Sequence, residues 1–515
     1  MARRLAAIAL LLLVAIAAVG PIRSYDFFWH LATGRWIVEH HALPVYDPFA
    51  VASAHVPWIN GEWLFEVGLY DGYSLAGFPG ISFLNALFVA VIFAGALWFA
   101  SSTTDVAVAT VAAAAGFAGA SDRLGVRPAA AAALLVVLAL AILTSSITVT
   151  RMGIAYAALT IIWINTHPSA VLAPVLAAAM LLIDLRRWPV AVASAIALLV
   201  NPFGWRAIAA PLRLTRLVGS GEFVNAEWLP SYPSLFPLLY ATIAVGVAMF
   251  IFVHEKRNNA ARFAVFVVLA ILAVQHVRNQ GLYFAALPLI LPPLMGLSRN
   301  QRIALGALSA IALGWALIRA DRRVGIDDLR FPVRAVARLQ ASALPGNIYN
   351  VDQFGGYLEW MFYGQRRVLT DGRNELFRDF IAEDSRARHD SRVWHALLAR
   401  YHADLAVDEY QRQKIEVIDA ASGERRFLPA SLVRYRRRDW ALIAFDDAAM
   451  VFARRAAYPP GVVERLEYRY LVPDGPSIRY ASDTIRLAAR AEVERAKREI
   501  GDLNVVRALE KGARD

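Results

Sequence analysis

Over the first 320 residues apolar positions come in long runs, and polar residues are confined to short stretches between them. The runs are Leu5–Ile22, Gly80–Ala100, Val106–Ala120, Pro128–Thr148, Gly153–Asn165, Ala170–Ile183, Pro189–Phe203, Leu235–Val253, Phe263–Gln275, Gly281–Leu297 and Ile303–Ile318. A helix needs about 20 apolar residues to cross the hydrocarbon of a bilayer. Several runs are shorter, but they carry no charge, and helices around a water-filled cavity need not cross the whole of it. From Asp321 onward charges are dense and the pattern changes to short strands and helices. Gly346–Val351, Arg367–Thr370 and Ala403–Val407 are predicted as strands and Arg392–Tyr401 as a helix. Gly355-Gly356 is predicted as a turn or helix start, and Trp440–Phe445 with Met450–Ala453 as a hairpin around Asp446-Asp447. The fold class is a polytopic α-helical membrane protein of about eleven transmembrane helices followed by a C-terminal α/β domain. The predicted boundaries are 1–320 for the membrane domain, with a large first loop at 23–79, then 321–480 for the soluble domain. A charged helix over 481–515 carries one apolar stripe of Ile485, Leu487, Val493 and Ile500.

Basic residues orient the helices. With the N-terminus inside, the inner loops contain Arg3-Arg4, Asp184–Arg187, His254–Arg257 and Ser298–Arg302, all short and basic, as membrane insertion favours. The inner loop Ser101–Asp105 is the exception and has no positive charge. Eleven crossings then place the C-terminal domain outside, in the inner membrane of a bacterial-type cell. Met1-Ala-Arg-Arg followed by an apolar run also fits a cleaved signal peptide; the ten further runs behind it favour a retained helix.

Composition agrees. Hydrophobic residues make up 58% and charged residues 18% of 515, with a mean hydropathy of +0.45, more apolar than one soluble core requires. The net charge of +11 does not indicate nucleic acid, because arginine falls in the loops between apolar runs where topology explains it. The absence of cysteine excludes disulfides, thiolate nucleophiles and Cys-based zinc sites.

The outer loops gather the unusual polar residues: Asp26, His30, Asp47, Glu62, Glu66, Arg123, Arg127, His167, Asn201, Glu227, His276, Arg278 and Asn279. Ionisable groups at a membrane boundary are costly unless they face water or each other, so the cluster suggests a polar site. Asp26 and His30 are spaced to share one face of a helix. The aromatics around them are also what an interfacial segment would carry.

The first loop reads Tyr25-Asp-Phe-Phe-Trp-His30, then Leu43-Pro-Val-Tyr-Asp-Pro-Phe49 and Pro57-Trp-Ile-Asn-Gly-Glu-Trp-Leu64. It resembles the first loop of the GT-C superfamily, polytopic glycosyltransferases that use lipid-phosphate sugars. Among these it is most similar to relatives of the protein mannosyltransferases and the lipid A aminoarabinose transferase. Further stretches resemble a bacterial branch of that group: Arg127-Pro128, Trp163–Pro168, Asn201–Trp205, Glu227–Pro230, His276–Asn279, Asn350–Tyr357, Thr370–Arg373 and Trp440–Asp446. The sequence departs from the pattern at Pro168, where a glycine is expected, and in lacking an Asp-x-Asp at Asp26.

The resemblance implies an inverting transfer of a sugar from a polyprenyl-phosphate carrier, at the outer membrane face, to a lipid, glycan or protein acceptor. Asp26 matches the family's first-loop acidic residue and would be the general base. His30 would orient the acceptor or touch the phosphate, and Glu62 is a second candidate carboxylate. Arg127 and Arg278 would hold the phosphate, with His167, His276 and Asn279 beside them, since arginine's planar fork suits phosphate. Each has a structural alternative: a helix cap for Asp26, snorkelling for the arginines, packing for the histidines. No metal site is assigned, because His40, His41, Asp47 and His55 lack ligand spacing; a divalent cofactor is not indicated. Asp371-Gly372-Arg373 is predicted as a turn. The rival functions are a catalytically inactive scaffold in cell-envelope assembly and a lipid or solute transporter; no internal repeat supports the latter.

Overall fold

The computed structural model describes residues 1–219, 226–252, 257–411, 414–418, 423–476, 480 and 482–514. The predicted inner loop His254–Arg257 lies, apart from Arg257, outside the described residues. The chain divides into two compact units: Met1–Ser24, Thr33–Leu43 and Ile59–Ile326 form the first, and Tyr25–Ala32, Pro44–Trp58 and Asp327–Asp515 the second. Two pieces of the first loop therefore fold with the C-terminal unit.

The first unit is helical. Its helices are α1 (Ala2–Ala18), the later part of α2 (Phe27–His40), α3 (Trp63–Ala100), α4 (Val106–Ala120), α5 (Pro128–Leu143), α6 (Val149–Ile164), α7 (Leu172–Ala179), α8 (Trp188–Ala197), α9 (Trp205–Gly219), α10 (Pro237–Phe252), α11 (Ala260–Gln275), α12 (Gln280–Ile290) and α13 (Arg299–Arg319). Each predicted apolar run overlaps one of them. Two, α3 and α13, are long and apolar enough to cross a membrane by length and composition. α3 is broken at Gly77, whose φ of 63° only glycine adopts freely, two residues before Pro79. The predicted span Gly80–Ala100 is its second half.

Every residue of α12 is buried, and the helix packs against α3, α4, α5 and α11. A helix apolar on all sides has no solvent face to offer and takes the centre. The outer helices do the reverse. Phe83, Leu84 and Leu87 of α3, Ile154 and Ile162 of α6, Val245 and Ile251 of α10, and Ile303, Ile311 and Trp315 of α13 are all exposed. Surfaces this apolar belong in lipid.

Loops assigned to one face meet. Asp105 caps α4 by accepting from the Ala107 N–H at 2.9 Å and pairs with Arg302 at 2.9 Å. The Ser101–Asp105 loop, which has no positive charge of its own, thus receives one from its neighbour.

The second unit carries α14 (Val333–Ser342), β1 (Asn347–Asn350), α15 (Asp352–Met361), α16 (Arg378–Ala387), α17 (Ser391–Arg400), β2 (Ala403–Glu409), β3 (Ile415–Ile418), β4 (Arg425–Leu428), α18 (Ala430–Arg434), β5 (Trp440–Phe445), β6 (Ala449–Arg454), α19 (Asp483–Ile500) and α20 (Asn504–Arg514). The main sheet has the order β1-β2-β6-β5; β1 and β2 are parallel and the other pairs antiparallel. β3 and β4 form a separate hairpin. The predicted hairpin is β5–β6, closed by Asp446, whose carboxylate accepts from the Ala448 and Ala449 N–H groups.

Three predicted elements come out differently. Arg367–Thr370 is reduced to Val368, which bridges Ile348 on one side and Ala50 of the first loop on the other. Gly355-Gly356 lies inside α15, which begins at Asp352. The tail helix breaks at Gly501, where φ of 93° stops α19 and α20 starts afresh; Leu487, expected in the apolar stripe, is exposed.

Candidate functional site

The candidate residues fall into two groups, one in each unit.

In the first unit the loops assigned by charge to the outer face converge on Ala226–Trp228, a turn of 3-10 helix. Arg127, just before Pro128 starts α5, donates to the Glu227 carboxylate and to the Arg123 carbonyl at 3.3 Å. Burial opposes the Glu227 charge, but Arg127, Arg278 and Arg123 hold the carboxyl below its usual range. The Arg278 guanidinium lies 4.6 Å from the Trp228 ring centre. His276 donates from Nδ1 to the Trp228 carbonyl at 2.7 Å, and its ring meets the indole edge-on. Asn279 donates to the Leu272 carbonyl at 3.2 Å, tying this turn to the end of α11.

His167 is buried and caps the start of the next helical segment, its Nδ1 accepting from the Ser169 N–H at 3.1 Å. Burial, then the nearby Arg278 and Arg127, push it down to about 3. The imidazole is therefore neutral at ordinary pH, with its proton on Nε2. Asn165, two residues earlier, accepts from Trp63 Nε1 at 2.8 Å and so joins this loop to the start of α3 beside Glu62. The Glu62 N–H donates to Asn60 Oδ1 at 3.1 Å, and Asn60 Nδ2 donates to the fully buried Glu66 at 2.5 Å. The sequence thus yields the arginines and histidines of this group, while Glu227, which they surround, was only one of many polar loop residues.

In the second unit Asp26 precedes the first turn of α2 and accepts from Trp29 Nε1 at 3.3 Å. Phe27 and Phe28 are fully buried, and Phe28 packs against Phe331 and Tyr357. This aromatic anchoring fixes the turn that carries Asp26, which is half-buried. His30 is buried with its ring 3.5 Å from that of Trp29.

Next to this turn is a buried ion cluster. Arg373 Nε donates to both Asp371 oxygens at 3.0 Å, and its terminal nitrogen reaches Asp47 at 3.0 Å and Glu359 at 3.4 Å. Asp47 also accepts from Ser53 Oγ and the Phe49 N–H. The guanidinium lies 4.5 Å from the Trp58 ring centre and 5.4 Å from that of Trp29. Burial disfavours the Asp371 charge, yet Arg373 holds the carboxyl below its usual range. Burial, then the charge of Asp371, pushes Glu359 well above its own. Glycines make the site compact: a Cβ on Gly355 would stand 2.0 Å from the Thr370 carbonyl oxygen, and one on Gly356 2.8 Å from the Trp29 nitrogen. The expected turn at Asp371-Gly372-Arg373 is present, with the Arg373 N–H donating to Asp371, but its side chains form the centre of this cluster. Nothing in the sequence marks Glu359, which sits between Leu358 and Trp360. Among the described residues, no group of three or more His, Asp or Glu is arranged to hold a metal ion. Where three carboxylates do approach one another, a guanidinium stands among them.

No family model matches the sequence, and no curated protein matches it. Solved structures do. The archaeal oligosaccharyltransferase AglB from Archaeoglobus fulgidus, in complex with an inhibitory peptide and a dolichol-phosphate, aligns with a TM-score of 0.60 at 10% identity over 98% of this chain and 85% of its own. The apo oligosaccharyltransferase of the same organism aligns at 0.57 and 10%, over 79% and 70%. The form tethered through a disulfide to an acceptor peptide containing the NVT sequon gives 0.57 and 10%, over 82% and 74%. At such identity the likeness is one of fold, and these oligosaccharyltransferases are GT-C proteins. The chain therefore shares the fold of these oligosaccharyltransferases, the fold that the resemblance of its first loop implies.

Proposed function

We propose that this chain is an inverting glycosyltransferase that moves a sugar from a polyprenyl-phosphate carrier to an acceptor at the outer face of a bacterial-type inner membrane. About eleven helices would embed it, with the N-terminus cytoplasmic and the C-terminal unit outside. The observation that carries the reading is the charge imbalance at Glu227. Three guanidiniums, Arg123, Arg127 and Arg278, act on the Glu227 carboxylate, with Asp122 near Arg123 the second acidic group, and all three lie at the ends of apolar helices. Such a site attracts a compact anion, and arginine binds phosphate oxygens in pairs. The dolichol-phosphate held by a protein of the same fold supports this chemistry.

In the reaction, a hydroxyl or amine of the acceptor attacks the anomeric carbon. The bond from that carbon to the phosphate oxygen breaks, and the phosphate leaves with the electron pair. Arg127 and Arg278 would stabilise the charge that grows there. His167, neutral, would donate only from Nε2, while His276 and Asn279 would keep the Arg278 turn in place. Asp26 would accept the proton of the attacking group and His30 would orient the acceptor or touch the phosphate, with Glu62 the second candidate carboxylate. The acceptor is a lipid, glycan or protein.

The test is transfer of radiolabelled sugar from a panel of polyprenyl-phosphate sugars by purified protein, with native membrane extract as acceptor. Wild type is expected to form product, and Asp26→Asn to lose roughly 10²–10⁴ of the rate. Undiminished transfer by Asp26→Asn would move the base elsewhere, with Glu62 next. An absence of product and of bound lipid with every donor would sink the transferase reading.

A further inference from the structure

The turn Asp371-Gly372-Arg373 lies directly against the carboxylate assigned as the base. A Cβ built on Gly372 would stand 2.8 Å from Asp26 Oδ1 and 3.8 Å from Trp29 Nε1, and these are its only neighbours within 4 Å among the described residues outside the adjoining ones. The same Asp26 oxygen accepts from Trp29 Nε1. The Trp29 ring lies beside the Arg373 guanidinium, which Asp371 holds through Nε and Nη2 and which Asp47 and Glu359 meet at Nη2. The contacts therefore form one chain. Buried carboxylates fix Arg373, Arg373 backs Trp29, and the indole N–H together with the bare Cα of Gly372 set where Asp26 points.

We infer that Asp371-Gly372-Arg373 is the seat of Asp26, with Gly372 and Arg373 as positioning residues, so that the C-terminal unit is part of the transfer machinery and not an accessory to it. This rests on the reading of Asp26 as base. A general base has to stand within about 2.6–3.2 Å of the proton it takes, and a misplacement of about 1 Å costs on the order of 10²-fold in rate. Glycine at 372 is the residue that leaves room for the carboxylate. Its backbone is not among those with positive φ, so alanine fits the main chain, and what it displaces is the Asp26 side chain.

Gly372→Ala is the probe, read in two ways on the full-length protein in detergent. Carbodiimide labelling of Asp26, localised by mass spectrometry, reports the carboxylate whether or not a donor has been found. It is expected to run several-fold faster in Gly372→Ala, because the carboxylate is pushed off Trp29 toward solvent. In the transfer assay kcat is expected to fall roughly 10–100-fold with KM changed less than about twofold. Arg373→Lys, which keeps the charge but not the fork, is expected to shift labelling the same way and to lose less activity than Arg373→Met. Asp26 labelling equal to wild type in both Gly372→Ala and Arg373→Lys would overturn the seat. Transfer lost in Asp26→Asn but untouched in Gly372→Ala would also overturn it, leaving the transferase reading intact. Faster labelling in a protein that transfers no sugar would keep the seat and reject the transferase.

Discussion

Replacing Arg373 by methionine tests how the C-terminal unit is held together. Methionine fills much of the arginine's volume but brings no charge, and the Arg373, Asp47, Asp371 and Glu359 side chains are all within 1% of full burial. Glu359 is already pushed toward its neutral form, so the loss falls on Asp47 and Asp371, each about 3.0 Å from the guanidinium. At an effective dielectric near 20, two charges about 4 Å apart attract by ~4 kcal/mol. Protonation of the stranded carboxylates recovers part of this, and breaking a buried pair by removing one partner costs about 3–5 kcal/mol. For a unit of roughly 150–250 residues each kcal/mol lowers Tm by about 2–4 °C, so the apparent Tm should drop by roughly 6–20 °C. The sign of the pH dependence follows. Without the arginine, burial raises the folded-state pKa of Asp371 above its unfolded value. Folding is then least impaired below the unfolded carboxylate range near pH 4 and increasingly impaired as pH rises above it. Scanning fluorimetry of the full chain in detergent should show a clearly smaller deficit near pH 4.5 than near 7.5. A Tm change below about 2 °C, or an equal deficit at both pH values, would refute the argument that Arg373 neutralises the cluster.

Other predictions address the remaining sites. His167 is held down to about 3, well below its unfolded value near 6.5, so it stabilises the fold above pH ~6.5 and withdraws that stability as pH falls toward 3; His167→Gln should move acid unfolding, followed by tryptophan fluorescence, to lower pH. Glu227→Gln removes the carboxylate that acts on Arg123, Arg127 and Arg278 together, and should tighten inhibition of transfer by inorganic pyrophosphate by about 3–10-fold, whereas Arg127→Ala should weaken it; equal inhibition constants would count against a phosphate site there. Gly355→Ala puts a Cβ 2.0 Å from the Thr370 carbonyl oxygen, a backbone atom that cannot swing aside, and should cost about 1–3 kcal/mol or more, visible as a lower Tm and reduced yield.

The sequence by itself determined what is local. A helix or span is written in consecutive residues, so every apolar run overlaps a helix, and the turn at Asp446-Asp447 carries its own hairpin. Charge bias assigns the loops to faces, and the pairs Asp105–Arg302 and Arg127–Glu227 join loops with the same assignment. The arginines and histidines around Ala226–Trp228 were readable because ionisable residues are rare beside apolar runs. Tertiary structure decided what depends on distant partners. Arg373 and Asp47 are 326 positions apart, and no pattern near either announces the other. An Asp-Gly-Arg stretch looks like a turn whether it is solvated or buried; only packing makes it an ion cluster under two tryptophans. Likewise the first loop reads as one outer segment, yet its pieces at 25–32 and 44–58 fold with the C-terminal unit. Phe27, Phe28 and Asp47 find their apolar and ionic partners there, and burial of those side chains is a property of the assembled core rather than of the loop.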